Sequence, residues 1–431
     1  MHKNFIERYN AVYIKRKIED TILKTSNTFP VLLLTGPRQA GKTTLLEQLA
    51  DSDRKYVTLD DPADRMFAKE EPQAFLERYS SPVIIDEIQY VPELLPYIKI
   101  AVDRNKNNGS YWLTGSQMFH MMKNVSESLA GRVGIVNLFG LSGNEITGNL
   151  FGAYKSDKDE LTKKINTAKP MTLVEIFKRI HRGGMPRVYE QPDVDLGKYF
   201  SSYVQTYISR DIRELTQVAD ELAFYRFLCV VAARTGSMVN YEALAKETEI
   251  SAPTAKQWLS ILVSSGIIIL IEPYHNNALK RVVKSPRMYF MDTGLAAYLT
   301  RWGSPDVLES GAMAGAFFET YVVSEIYKSF INLGQQPPLF FYRDSNTKEI
   351  DLIIWQDGTL YPIEIKKSSN PSGATKNFNA LNPVTDEKNF DEMSRHLKMK
   401  IGTGSVICLA NNLRPVQGSK GDNWVVPVWL I

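Results

Sequence analysis

The tightest constraint in this chain is one run near its start, Val31-Leu32-Leu33-Leu34-Thr35-Gly36-Pro37-Arg38-Gln39-Ala40-Gly41-Lys42-Thr43-Thr44. An apolar stretch leads into G-x-x-x-x-G-K-[ST], and a helical stretch, Thr43–Ala50, leads out. Gly36 and Gly41 allow backbone conformations in which successive N–H groups of Arg38, Gln39, Ala40 and Thr44 face a phosphate, Pro37 belonging to the same phosphate-binding loop without an N–H of its own. Lys42 is expected at the β- and γ-phosphates of a bound nucleotide, and Thr43 supplies a hydroxyl to Mg²⁺. The helix N-terminus adds its positive dipole end. ATP and Mg²⁺ are therefore the expected ligands.

A second element lies 44 residues beyond Lys42: Val83-Ile84-Ile85-Asp86-Glu87. An apolar strand ending in two acids puts carboxylates at the C-terminal edge of a sheet, where phosphate and metal sit in open α/β folds. Asp86 is read as holding Mg²⁺ through water, and Glu87 as the base that orients the attacking water. A third run, Tyr111-Trp112-Leu113-Thr114-Gly115-Ser116, ends in small polar residues, of which Thr114 or Ser116 would sense the γ-phosphate or position water; the alternative is a plain turn after a strand. In Ser128-Leu129-Ala130-Gly131-Arg132, Arg132 would read the γ-phosphate within the chain or across a subunit interface; the alternative is an ordinary surface salt bridge.

The apolar runs Val31–Thr35, Tyr56–Leu59, Val83–Ile85, Tyr111–Thr114 and Val133–Leu138 alternate with helical stretches, one of them expected over 12–25. Such runs predict a parallel sheet buried on both faces, hence an α/β fold. The charged segment 155–169 reads as an exposed linker at a domain boundary.

Together GPRQAGKTT, VIIDEIQ, YWLTGSQ and SLAGRV resemble the AAA-type ATPases of bacteria and archaea whose P-loop domain precedes a poorly characterised C-terminal region. Gly183-Gly184-Met185-Pro186, Tyr207-Ile208-Ser209-Arg210-Asp211-Ile212 and Met291-Asp292-Thr293-Gly294-Leu295 extend the resemblance along the chain. It implies an ATP-hydrolysing domain over residues 1–150.

Residues 241–290 read as a helix-turn-helix with a wing: helices over 241–250 and 252–265, Ser251 capping the second, a strand over 266–272, and a return over 280–290. Lys280, Arg281, Lys284 and Arg287 on the return suit phosphate contacts with DNA or RNA better than base reading. This segment falls within a middle domain over 151–304.

The last domain, 305–431, opens with a helix that carries Glu319. Asp351 and Glu364, 13 residues apart, fit a hairpin about Asp357-Gly358, and period-2 alternation puts Glu364 and Lys366 on one face. Two or three carboxylates and a lysine can bind Mg²⁺ at Glu319, Asp351 and Glu364 and activate a water for phosphodiester cleavage, with Lys366 stabilising charge. The set resembles restriction-endonuclease-like nucleases, although Ile350 stands where their motif carries proline. The expected whole is an ATPase coupled to a nuclease-like domain. The alternative is a regulatory ATP switch that docks on a protein partner or on further copies of itself, its nuclease fold inactive.

Composition excludes less. Over 431 residues, 51 Lys+Arg against 48 Asp+Glu give +3, so a nucleic-acid partner would depend on local patches. At roughly 150 residues per domain the length fits two to four domains. Cys229 and Cys408 read as buried thiols, too few for a disulfide framework. No secretory signal or membrane-length apolar run is present, and a cytoplasmic location is expected.

Overall fold

The computed structural model describes residues 13–115, 128–206, 220–275, 285–344, 348–386, 399–417 and 423–431. Each of the five N-terminal apolar runs becomes a strand: β1 (Val31–Thr35), β2 (Lys55–Thr58), β3 (Val83–Asp86), β4 (Tyr111–Gly115) and β5 (Val133–Asn137). They form one parallel sheet in the order β2-β3-β4-β1-β5. β1, β3 and β4 are buried along their whole length, which is why their sequences are continuous rather than alternating. One face packs on α1 (Glu19–Thr28) and α2 (Lys42–Leu49) through Ile22, Leu32, Leu34, Leu45, Ile84 and Trp112. The other face packs on α3 (Pro62–Glu70), α4 (Pro72–Arg78) and α5 (Leu94–Asn105) through Leu33, Phe75, Ile85, Ile98 and Leu113.

The first helix starts at Glu19 rather than Tyr13 because the preceding turn has another task. Arg16, 4% exposed, donates to the carbonyls of Ala40 (3.1 Å) and Phe139 (2.7 Å) and pairs with buried Glu145. Burial raises the Glu145 carboxyl, but Arg16 and the amides of Ser142 and Lys17 outweigh it and hold the group below the usual range.

The segment expected as an exposed linker is exposed at most positions but is anchored through four buried residues, Ser156, Leu161, Lys164 and Ala168. It contains α6 (Lys158–Ile165), capped by Asp157, with Leu161 and Lys164 inward. The Lys164 stem covers the rings of Phe151 and Tyr154, and its ammonium donates to the Leu430 carbonyl. Burial lowers that amine to about 8. Charged composition hid the burial because a lysine stem is itself apolar.

Beyond it come α7 (Leu173–Arg182), α8 (Leu196–Thr206), α9 (Glu221–Ala233), α10 (Tyr241–Thr248) and α11 (Ala252–Ser264). The hydroxyl of Ser251 accepts the Thr254 amide at the start of α11. β6 (Ile268–Pro273) and β7 (Arg287–Phe290) pair antiparallel, and β6 also pairs in parallel with β8 (Leu339–Arg343). The hairpin thereby joins a nine-stranded mixed sheet that runs through β9 (Glu349–Gln356) and β10 (Thr359–Lys366) to β14 (Trp424–Pro427). The long α12 (Ala314–Ile331) packs on it, and one apolar core extends from Phe139 to Ile431. Among the described residues no helix is long and apolar enough to cross a membrane. Cys408 is buried and Cys229 half-buried.

Two motifs outside the P-loop meet beside it. The Gly184 amide donates to Asp292 (2.8 Å), and its carbonyl accepts the Leu141 amide (2.6 Å) just past β5. Gly183 has φ 75°, and a Cβ there would fall 2.3 Å from Asp292 Oδ1, so only glycine fits. Pro186 of the same turn abuts Gly41, its Cγ 3.7 Å from where a Cβ on that glycine would lie. The 207–212 motif lies outside the described residues.

Candidate functional site

The loop after β1 curls over the C-terminal edge of the sheet. Gly36 sits against β5's extension, where a Cβ would lie 1.9 Å from the Leu138 carbonyl oxygen. Gly41 (φ 89°) turns the chain into α2. The Lys42 ammonium caps the loop, donating to the Gly36 and Pro37 carbonyls at 3.0 Å each. Arg38, Gln39, Gly41, Lys42, Thr43, Thr44, Glu87 and Thr206 line a cleft of about 560 Å³. Ala40 is buried beneath it, its carbonyl held by Arg16. The Gln39 side chain accepts the Tyr199 hydroxyl of α8 (2.7 Å).

Strand order explains the acids. β4 lies between β1 and β3, so Thr114 at its end sits between the loop and Asp86. Asp86 accepts hydroxyls from Thr43 (2.9 and 3.1 Å), Thr114 and Tyr56 (3.1 Å). Thr114 also accepts the Glu87 amide at 3.0 Å. Glu87 occupies the left-handed region (φ 57°, ψ 47°), a conformation costing on the order of 1 kcal/mol for a non-glycine residue, and its carboxylate takes the Gln89 side-chain amide. A hydroxyl, a carboxylate and a row of loop amides are the hard-oxygen and N–H donor set that suits Mg²⁺ and phosphate.

Tyr56 was not legible as a site residue. It comes onto the Asp86 face because β2 pairs with β3 in the register Tyr56↔Ile84 and Thr58↔Asp86. Thr114 is tied to Asp86 and Glu87 rather than standing free to meet a γ-phosphate; Ser116 lies outside the described residues. Arg132 is a correction. It precedes β5 at the N-terminal edge of the sheet, where its carbonyl accepts the Val31 amide, so a strand length of about 16 Å separates it from the loop. Its guanidinium is forked onto Asp103 (3.0 Å from Nη2 to Oδ2), which fits a surface salt bridge and not an in-chain phosphate contact.

The second group forms on β9, β10 and α12. Asp357 and Gly358, both at positive φ, turn the hairpin and bring Asp351 beside Glu364. Asp351 accepts the Ile365 amide (2.8 Å); Lys366 Nζ is 2.6 Å from Glu364 and 3.8 Å from Asp351. Glu319 approaches from α12, but its Oε1 is taken by Tyr289 (2.7 Å) and Arg287 (3.2 Å). Arg287 also pairs with Glu349. Burial first, and then the Asp351 charge, hold the Glu319 and Glu364 carboxyls above the usual range.

This overturns two expectations. Arg287 faces inward, 11% exposed, and is no part of a free phosphate-contacting cluster; Lys280, Arg281 and Lys284 lie outside the described residues. Glu319 is drawn to Arg287, and among the described residues no three acidic, histidine or cysteine side chains stand ready to hold a metal ion.

Residues 28–147 match the family described as AAA domain, 174–306 a domain of unknown function (DUF8612), and 314–431 another (DUF4143). Uncharacterized protein Rv2008c of Mycobacterium tuberculosis and uncharacterized protein Mb2031c of Mycobacterium bovis are each 30% identical over 369 residues, 85% of this chain and 77% of theirs. The chain belongs to the family of these two mycobacterial proteins. Its N-terminal part is an AAA-type P-loop ATPase domain. The Walker-type ATPase PABY2304 of Pyrococcus abyssi is a distant structural likeness: 17% identity over 68% of this chain and 97% of that one, TM-score 0.41.

Proposed function

We propose that this protein couples Mg²⁺-dependent ATP hydrolysis at Gly36–Thr44 to a nuclease-like, nucleic-acid-contacting C-terminal part. The observation that carries the ATPase assignment is the junction of Thr43, Asp86 and Glu87 across one cleft. Lys42 leaves its loop carbonyls for the β- and γ-phosphates, and the loop amides hold the chain of phosphates in line. Asp86 and Thr43 would hold Mg²⁺, which when bound would supply positive charge against the phosphates. Glu87, fixed by the Thr114 bond to its amide, orients the attacking water and accepts its proton. ATP turnover measured for the wild type and Lys42→Ala tests this; equal rates would sink it.

The C-terminal reading rests on Asp351, Glu364 and Lys366 meeting on one hairpin, the geometry that hydrolysis of a phosphodiester needs. The helix-turn-helix over α10 and α11, followed by the β6–β7 hairpin, supports a winged-helix contact with DNA or RNA. Nicking of a DNA and RNA panel with Mg²⁺ or Mn²⁺, abolished by Asp351→Ala, is the expected result; nicking that survives the substitution assigns it elsewhere. The Arg287–Glu319 pair favours a second reading, an ATP switch whose nuclease-like part binds and does not cut. For Arg132, a role across a subunit interface is the one its place allows.

A further inference from the structure

Four carboxylates surround the C-terminal centre, from Glu319, Glu349, Asp351 and Glu364, and two cations divide them into pairs. Lys366 covers Glu364 and Asp351; Arg287 covers Glu319 and Glu349. A divalent ion needs Glu319 and the hairpin acids turned toward one point, whereas the present arrangement turns Glu319 toward β7. The arrangement is also incomplete. Arg287 Nε and Glu364 Oε2 are both buried with no hydrogen-bond partner. Each is a buried polar atom in its own ion pair with bonding capacity to spare. Arg287 cannot yield by losing its proton, because guanidinium stays charged across the whole useful pH range. It yields only to a cation that competes more strongly for Glu319, because β7 is held on both edges, by β6 and by backbone hydrogen bonds with Gly236 and Ser237.

Resting on the reading of this centre as a divalent-cation site, we propose that Arg287 is its resident cation and competes with the metal ion for Glu319. The middle segment thereby sets how readily the C-terminal centre loads. Arg287 decides between a filled and an empty centre through Glu319 and Glu349, while Lys366 holds Asp351 and Glu364.

The test is a titration of full-length protein with Mn²⁺ alone, free Mn²⁺ being followed by electron paramagnetic resonance. An Asp86→Asn background in every arm removes the competing site at the P-loop. Arg287→Met is expected to bind one Mn²⁺ at least about tenfold more tightly than the background protein, and adding Asp351→Asn is expected to erase the gain. Arg287→Lys keeps the charge, loses the fork and should fall between; it carries the test if Arg287→Met does not fold, as judged by circular dichroism. Equal or weaker binding in both Arg287 variants overturns the proposal. If the background protein already binds an Mn²⁺ that Asp351→Asn removes, with no gain on changing Arg287, the cation-site reading stands and the role of Arg287 falls. If no variant binds Mn²⁺ at this centre, both fall.

Discussion

At the P-loop, Asp86 is surrounded by the hydroxyls of Thr43, Thr114 and Tyr56; in the C-terminal sheet, Glu319, Asp351 and Glu364 are surrounded by Arg287 and Lys366. Neutral donors fix a carboxylate's direction and leave its charge for an incoming cation. Protein cations fix direction as well, but they spend that charge internally. On the function proposed above, the first site is free to accept Mg²⁺ with its nucleotide, whereas the second would first have to surrender a partner. Position reinforces the difference. The P-loop cleft opens at the edge of a parallel sheet, while Glu364 is buried and Glu319 half-buried where α12 packs on the mixed sheet.

The comparison can be broken in three places. Lys42→Ala removes the ammonium proposed to meet the phosphates and should lower ATP turnover about a thousandfold, while leaving Mn²⁺ binding at the C-terminal centre unchanged. A steady-state phosphate-release assay reads the first effect, and turnover near wild type would contradict it. The next test concerns the buried glutamates, whose values are pushed up to about 7. Between the unfolded value near 4.5 and this folded one, the folded chain keeps protons that the unfolded chain has lost, so stability falls as pH rises through that window. Glu364→Gln should flatten the fall by about 2 kcal/mol between pH 5 and pH 8 in urea unfolding; parallel curves for the two proteins would argue against it. Smallest is Tyr56→Phe, which removes one of the hydroxyls that aim Asp86. It should raise the Mg²⁺ needed for half-maximal turnover about tenfold with little change in ATP affinity. A lower rate at unchanged Mg²⁺ demand would point to a merely structural tyrosine.

What could be read in the sequence follows from how local each signal is. β1 spans the residues its apolar run predicts, β3, β4 and β5 differ by one residue at the C-terminal end and β2 by one at each end; β1, β3 and β4, buried along their whole length, leave an uninterrupted apolar record. The loop glycines, Asp86 and the Asp351–Glu364–Lys366 hairpin were legible for the same reason: a motif or a period of two is a short-range property. The partners of long charged side chains were not. Arg132 found Asp103 and Arg287 found Glu319 and Glu349, choices made by strand order and by a hairpin joining a second sheet. Arg16, set against the Ala40 and Phe139 carbonyls, and Tyr199, bonded to Gln39, are of that kind too. Each lies far along the chain from at least one of its partners, and nothing in its local pattern marks it.

The assignment of hydrolysis to the Asp86–Glu87 edge is tested most directly by Glu87→Gln, with ATP binding and ATP turnover measured on the same preparation in Mg²⁺. The substitution keeps the shape of the side chain and removes its capacity to take a proton from water. ATP affinity should stay within about threefold of wild type while turnover falls at least about a hundredfold. Turnover within about threefold of wild type would contradict the account, because the base would then have to be another group.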